Sequence, residues 1–206
     1  MRLKGFKDMR ATIEIDVTPT EEEILNRTDR SRRKNINKAI NENLEFVEAE
    51  ESGWNEWYKI YCKVWKEGGV APEKLENLKK PNYKLYLAKK DGKILGGGLF
   101  EELEDRIVFR AYASLIDYQD LRVNDFLYWK SILWAKNRGK KIVDLGGWQI
   151  NARDHLKGVN QFKEKWGGKI VYYPVYSKNP FYIIGRKLIK KYGFFWWLNK
   201  KLRGRK

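Results

Sequence analysis

The stretch from residue 141 to residue 168 constrains this chain most. Ile142, Val143 and Leu145 form a short apolar run split by one acid, Asp144, and the run stops at Gly146-Gly147. That pattern fits a buried parallel strand ending in a loop. In open α/β sheets the carboxyl ends of strands are where ligands sit. Further on, Leu156, Val159, Phe162 and Trp166 recur at helical spacing and predict an inward-facing stripe. Gly167-Gly168 closes that helix, because glycine takes the left-handed cap without a Cβ clash. Two readings of Gly146-Gly147 stay open: a functional strand end, or a tight turn and nothing more.

With 206 residues the chain can bury one substantial core. Its formal net charge of +16 favours a polyanionic partner: nucleic acid, an anionic membrane face or a phosphate-rich substrate. A lysine-rich background that serves solubility is the competing reading. Cys62 and His155 are the sole residues of their types. An intrachain disulfide is therefore impossible, which suits a reducing cytoplasm, and a Cys/His zinc site is excluded by count, so no metal is expected. Cys62 falls among Trp57, Tyr58, Tyr61 and Trp65 and reads as packing. His155 is open between a base and a structural role. Residues 1–10 lack the apolar segment of a signal peptide, and no run reaches the ~18 apolar residues of a membrane span. The expectation is a cytoplasmic protein, with peripheral attachment to the inner membrane face as an option.

Taken in order, the alternation of Ile13 and Ile15 with Glu14 and Asp16 predicts a strand over 11–17. Thr20 with Glu23 forms a capping box. A second helix starts near Asp29 or Ser31 with Ile36, Ala39, Ile40 and Leu44 as its apolar stripe and Lys34, Lys38 and Asn41 opposite. Arg33 and Asn37, four apart, share a flank. A short strand at Phe46-Val47 precedes a helix capped by Ser52 and carrying an aromatic stripe from Trp54 to Trp65. Pro72 begins another helix, through about Lys79. Three strands follow: 83–89, 94–100 and 106–116. Asp91-Gly92 makes a hairpin turn, and Gly96-Gly97-Gly98 implies a bulge or a close backbone approach. A loop over 117–124 leads to a helix capped by Asn124 or Asp125. A last strand over 170–176 ends the domain, so residues 1–178 form one domain and 179–206 a basic, aromatic helical extension.

The resulting order is strand, two helices, three antiparallel strands, helix, strand, helix, strand, in an α/β (α+β) mixed sheet. It resembles the GNAT N-acyltransferase fold. In that family two strands splay apart and hold the acyl donor; here they would be 106–116 and 141–145. Four motifs resemble the FemABX peptidyltransferase branch: Thr12 to Val17 followed by Glu21 to Leu25; Arg32 to Ala39; Val143-Asp144-Leu145-Gly146-Gly147; and Phe162-Lys163 followed by Trp166-Gly167-Gly168. The resemblance covers about residues 12–176. Fem-type proteins carry two GNAT-like halves, and this chain is similar to the second. An acceptor site completed by a homodimer or another subunit follows from that.

The resemblance implies no bound cofactor and an aminoacyl group carried from charged tRNA to a primary amine of a peptide, lipid-linked or cell-envelope precursor. It makes Lys163 the cation that neutralises a phosphate or an oxyanion, and Phe162 a ring that packs under it or stacks on the terminal base of the donor. Asp144 is either a proton acceptor or a cap for the glycine turn. Tyr112 and Ser114, alternating on the third hairpin strand, would face the gap, and Arg33 with Asn37 would meet phosphate. CoA-using relatives carry a glycine loop before the crossover helix, so that backbone N–H groups approach the pyrophosphate. Residues 117–124 contain no glycine, which sets acyl-CoA behind charged tRNA as donor. An acyl-CoA N-acetyltransferase, or an inert module that binds RNA or an anionic membrane, remains the alternative. The aromatic and basic residues from Phe181 to Arg203 suit an anionic bilayer surface or a helix pair packed on the domain.

Overall fold

Seven strands make one mixed sheet in the order β2-β3-β4-β5-β6-β1-β7. They are β1 (Phe6–Asp16), β2 (Glu45–Glu48), β3 (Tyr83–Lys90), β4 (Lys93–Glu102), β5 (Arg106–Ser114), β6 (Ile142–Trp148) and β7 (Lys169–Ser177). The helices are α1 (Glu21–Arg27), α2 (Arg30–Asn41), α3 (Glu51–Glu67), α4 (Leu75–Leu78), α5 (Val123–Asn137) and α6 (Asp154–Glu164). The computed structural model describes residues 6–152, 154–179 and 181, without the side chains of Phe6, Asp154 and His155. The expected tail beyond Phe181 and the role of the His155 side chain lie outside the described residues.

Local chemistry accounts for most element ends. The Thr20 and Glu23 side chains and backbones exchange bonds in the capping box that starts α1. Asp29 caps α2 by accepting from the Ser31 N–H. Asp91 and Gly92 both take positive φ, the geometry a two-residue hairpin turn demands. Three starts differ from expectation. Glu50, not Ser52, is the N-cap of α3, with no side-chain bond. The helix foreseen from Pro72 shrinks to the single turn of α4, because Tyr58 and Tyr61 tie the backbone of Glu73 to α3. Helix α5 starts from Arg122 in a left-handed conformation rather than from an Asn124 or Asp125 cap. The Asp125 carboxylate is instead taken by Arg32 and Asn35 of α2.

Helices α1, α2, α5 and α6 cover one face of the sheet and α3 the other. On the first face Ile13, Ile15, Tyr128, Trp129, Val143 and Trp166 share a core, with Leu133 and Phe162 at its edge. Phe126 belongs to an adjoining cluster with Ala39 and Leu95. The aromatic stripe of α3 packs as expected, with Trp57, Ile60 and Tyr61 buried against Leu85, Leu87 and Leu99. Trp57 explains one glycine of β4: a Cβ on Gly97 would stand 2.7 Å from its ring.

Two features of the organising stretch depart from the sequence pattern. Strand β6 does not stop at Gly146-Gly147. It runs on to Trp148, because β1 pairs with it there, Ala11 opposite Trp148 and Thr12 opposite Gly147. Gly146, at φ 73°, makes the bulge that this continuation needs. Helix α6 buries only part of its apolar stripe. Trp166, just past its end, is fully buried, while Leu156 and Val159 are 38% and 42% exposed. Asn160 turns inward instead, and its amide bonds both the N–H and the C=O of Gln149.

Candidate functional site: the fork between two parallel strands

Among the described residues, β5 and β6 are the one pair of parallel neighbours in the sheet. They pair over three residues, Arg106–Val108 against Ile142–Asp144, and then part. Beyond the fork β6 follows β1, and β5 follows β4 with a register shift between Leu99 and Phe100 of β4 that leaves Arg110 as the extra residue of β5. The strands still touch at the fork: a Cβ on Gly146 would lie 2.8 Å from the Phe109 carbonyl oxygen. Glycine is required there on two counts, its φ and this approach.

Lys163 closes the fork from α6. Its Nζ donates to the Gly147 carbonyl at 3.0 Å. Burial pushes the ammonium down to about 8, against the opposing pull of the Asp144 carboxylate. Asp144 itself is committed to the bulge. Its Oδ1 accepts from the Gly146 N–H at 2.8 Å. The Thr12 hydroxyl lies within reach of both that carboxylate and the Gly146 carbonyl. Of the two roles open to Asp144, this geometry builds the cap.

Next to the fork, β5, α2, α5, α6 and the turn of 3₁₀ helix at Ile116–Leu121 line a cleft of about 170 Å³, with Arg32, Asn35, Ser114, Tyr118, Arg122 and Phe162 on its walls. Tyr112 donates its hydroxyl to the Asn124 carbonyl at 3.1 Å, and Ser114 donates to the Asn124 side chain at 2.8 Å. Both therefore hold the first turn of α5. Burial raises the Tyr112 phenol well above its ordinary range, so it stays a neutral donor. Its ring packs on Tyr128, which packs on Phe162 and Trp166. The Arg32 guanidinium lies 5.0 Å over the Phe162 ring and 2.7 Å from Asp125. Burial raises the Asp125 carboxyl, with Arg32 opposing. Among the described residues, the buried Nε atoms of Arg32 and Arg122 meet no hydrogen-bond partner.

The structure thus brings Lys163, Asp144, Gly146 and Gly147 together at the fork, and Phe162, Ser114 and Tyr112 beside the adjoining cleft. It leaves Arg33 and Asn37 on the outer side of α2, where Arg33 donates to the Asn26 carbonyl. Thr12, Arg32, Asn35, Arg122 and Asn124 were missed by sequence reasoning as site residues. The sequence pattern puts Arg33 and Asn37 on the phosphate-binding flank of α2, whereas the structure turns Arg32 and Asn35 into the cleft. No group of acidic, histidine or cysteine side chains among the described residues is suited to hold a metal ion.

No family model and no curated protein matches this sequence. Solved structures do match. FemX superposes with a TM-score of 0.72 at 13% identity, over 88% of this chain and 64% of that one. The fold is GNAT-like, in its Fem-type form. A C-terminal domain named for lysylphosphatidylglycerol synthetase, from Agrobacterium fabrum, superposes at 0.68 and 14% identity, over 90% and 66% of the two chains. The structure of L-PGS from Bacillus licheniformis gives 0.64 and 15%, over 91% and 66%. The chain spans just under two thirds of the length of each of the three.

Proposed function

We propose that this chain is an N-acyltransferase of the Fem-like type, moving an aminoacyl group from charged tRNA to a primary amine of a peptide or cell-envelope precursor. The observation that carries the reading is Lys163: a cation held at a strand fork by one carbonyl, in a setting that lowers its proton affinity. In the reaction the amine attacks the ester carbonyl, an oxyanion forms, the C–O bond breaks and an amide remains. The proton lost by the amine is balanced by the one the departing oxygen gains. A cation at the fork stabilises the oxyanion, and a site shielded from water strengthens that interaction. The buried, unpaired Nε donors of Arg32 and Arg122, beside the first turn of α5, suit a phosphate of the donor. The fold shared with FemX and with the domain named for lysylphosphatidylglycerol synthetase accords with an acyltransferase reading.

The test is a donor screen of charged tRNAs against acyl-CoAs with a peptide amine as acceptor. Transfer from charged tRNA is expected, and Lys163→Ala should lower it by ~10²-fold or more while the fold survives. Lys165→Ala is the internal control, since Lys165 is exposed and carries the same charge. Turnover with acetyl-CoA alone, or equal effects of the two substitutions, would overturn the reading.

A further inference from the structure

Helix α2 breaks a local rule. Of its twelve residues, Arg30, Arg32, Arg33, Lys34 and Lys38 are basic and none is acidic. Four of the five cations sit in its first five residues, against the positive end of the helix dipole. Helix α1 obeys the rule, with Glu21, Glu22 and Glu23 in its first turn. A residue pattern that costs helix stability and brings no structural contact is expected at functional surfaces. Arg32 has such a contact, with Asp125 inside the fold. Arg30, Lys34 and Lys38 are exposed and have no ion pair among the described residues.

Helical phase sorts these side chains. At 100° per residue Arg32, Asn35, Ile36 and Ala39 point to one side, and Arg30, Arg33, Lys34, Asn37 and Lys38 to the other. The inner set lines the cleft or is buried. The outer set repeats a cation once per turn, at about 6 Å. An evenly spaced row of cations without apolar neighbours suits a nucleic-acid backbone. A bilayer surface calls for an apolar face beside the cations. This row offers Ile40 alone, so the observations favour RNA over membrane.

We infer that the outer face of α2 is the docking surface for the double-helical part of an RNA, whose single-stranded 3′ end then reaches the cleft on the inner face of the same helix. The inference rests on the transfer reading for the identity of that RNA, and its test does not. Binding of a short RNA hairpin with a single-stranded 3′ tail, carrying no amino acid, is measured by fluorescence anisotropy across a salt series. For the combined variant R30A/K34A/K38A, affinity should fall about tenfold or more and the salt slope should flatten by about 2–3. Alanine keeps the helix, and removing cations from its first half relieves the dipole, so melting temperature should not fall. The control is K59A/K63A/K66A on α3, the same charge change on exposed residues of the opposite face, which should bind like the parent chain. Equal losses in the two triple variants, an unchanged slope in the α2 variant, or a parent chain that binds anionic vesicles through α2 and not the hairpin would overturn the inference. Hairpin binding that depends on α2, without amino-acid transfer by the parent chain, would keep the surface and remove the transfer reading.

Discussion

At the scale of single residues, the fork depends on a lysine and a glycine for different reasons. Burial disfavours the charged form of Lys163, so its proton affinity is below that of a free lysine, at about 8. In the proposed role it is a cation below that value, and that charge is lost as pH rises through it. Transfer by the parent chain should therefore decline above about pH 8. In Lys163→Arg the decline should move upward, because guanidinium stays charged, while geometry lowers the plateau. A pH–rate profile that is the same in both would show that Lys163 is not the titrating group. Folding has the same origin and the opposite trend: the folded chain binds this proton less than the unfolded one, so this group's contribution to stability improves as pH rises above the folded value. Gly146 answers to sterics. Gly146→Ala adds a Cβ at 2.8 Å from a carbonyl oxygen with φ at 73°. The expected loss is about 2–4 kcal/mol in a denaturant titration. Gly147→Ala meets nothing within 4 Å and should cost under ~0.5 kcal/mol.

At the scale of elements, the junction of α2 with α5 positions the cleft. Arg32 and Asn35 reach across to Asp125, one oxygen each. The Arg32 and Asp125 side chains are 17% and 6% exposed, so the pair is largely out of water. Removing one partner of such a pair leaves the other charge uncompensated, at roughly 3–5 kcal/mol for full burial. Asp125→Ala should lower stability by about 2–4 kcal/mol, and the double variant D125A/R32A by less than the single. A double-variant loss equal to the sum of the two single losses, measured by chemical denaturation, would mean that the two groups do not interact. Little of this junction was legible in the sequence. Asp125 lies where a helix cap is expected, and a residue 93 positions away takes its carboxylate. Helix α6 carries a related lesson. Its apolar stripe promised burial from Leu156 to Trp166, but the inward position near Gln149 went to Asn160, which satisfies two backbone groups there.

At the scale of the whole molecule, 43 basic residues against 27 acidic ones give a chain that repels itself. Long-range repulsion is screened by salt, while buried pairs such as Arg32–Asp125 are screened much less. The melting temperature should therefore rise by a few degrees between about 0.01 and 0.15 M salt. A fall in a scanning calorimeter would show that surface ion pairs outweigh the repulsion. What sequence alone determined about this protein was the kind and order of most of its elements: alternation, capping and glycine punctuation act between near neighbours, so they are written locally, while the fork between two strands was an expectation of the family resemblance. The strand run at Ile142 and the Gly-Gly after it were legible in that way, whereas the Phe162-Lys163 pair stood out only through the resemblance to the FemABX branch. Tertiary structure alone decided that β6 continues past its glycines, because the partner that pairs with them is β1, more than a hundred residues earlier. It likewise decided that Arg32 rather than Arg33 enters the cleft and that Thr12 and Asp144 meet at the bulge. Phase, register and the choice of a distant partner are set by packing energies summed over the assembled sheet, and no short window of residues contains them.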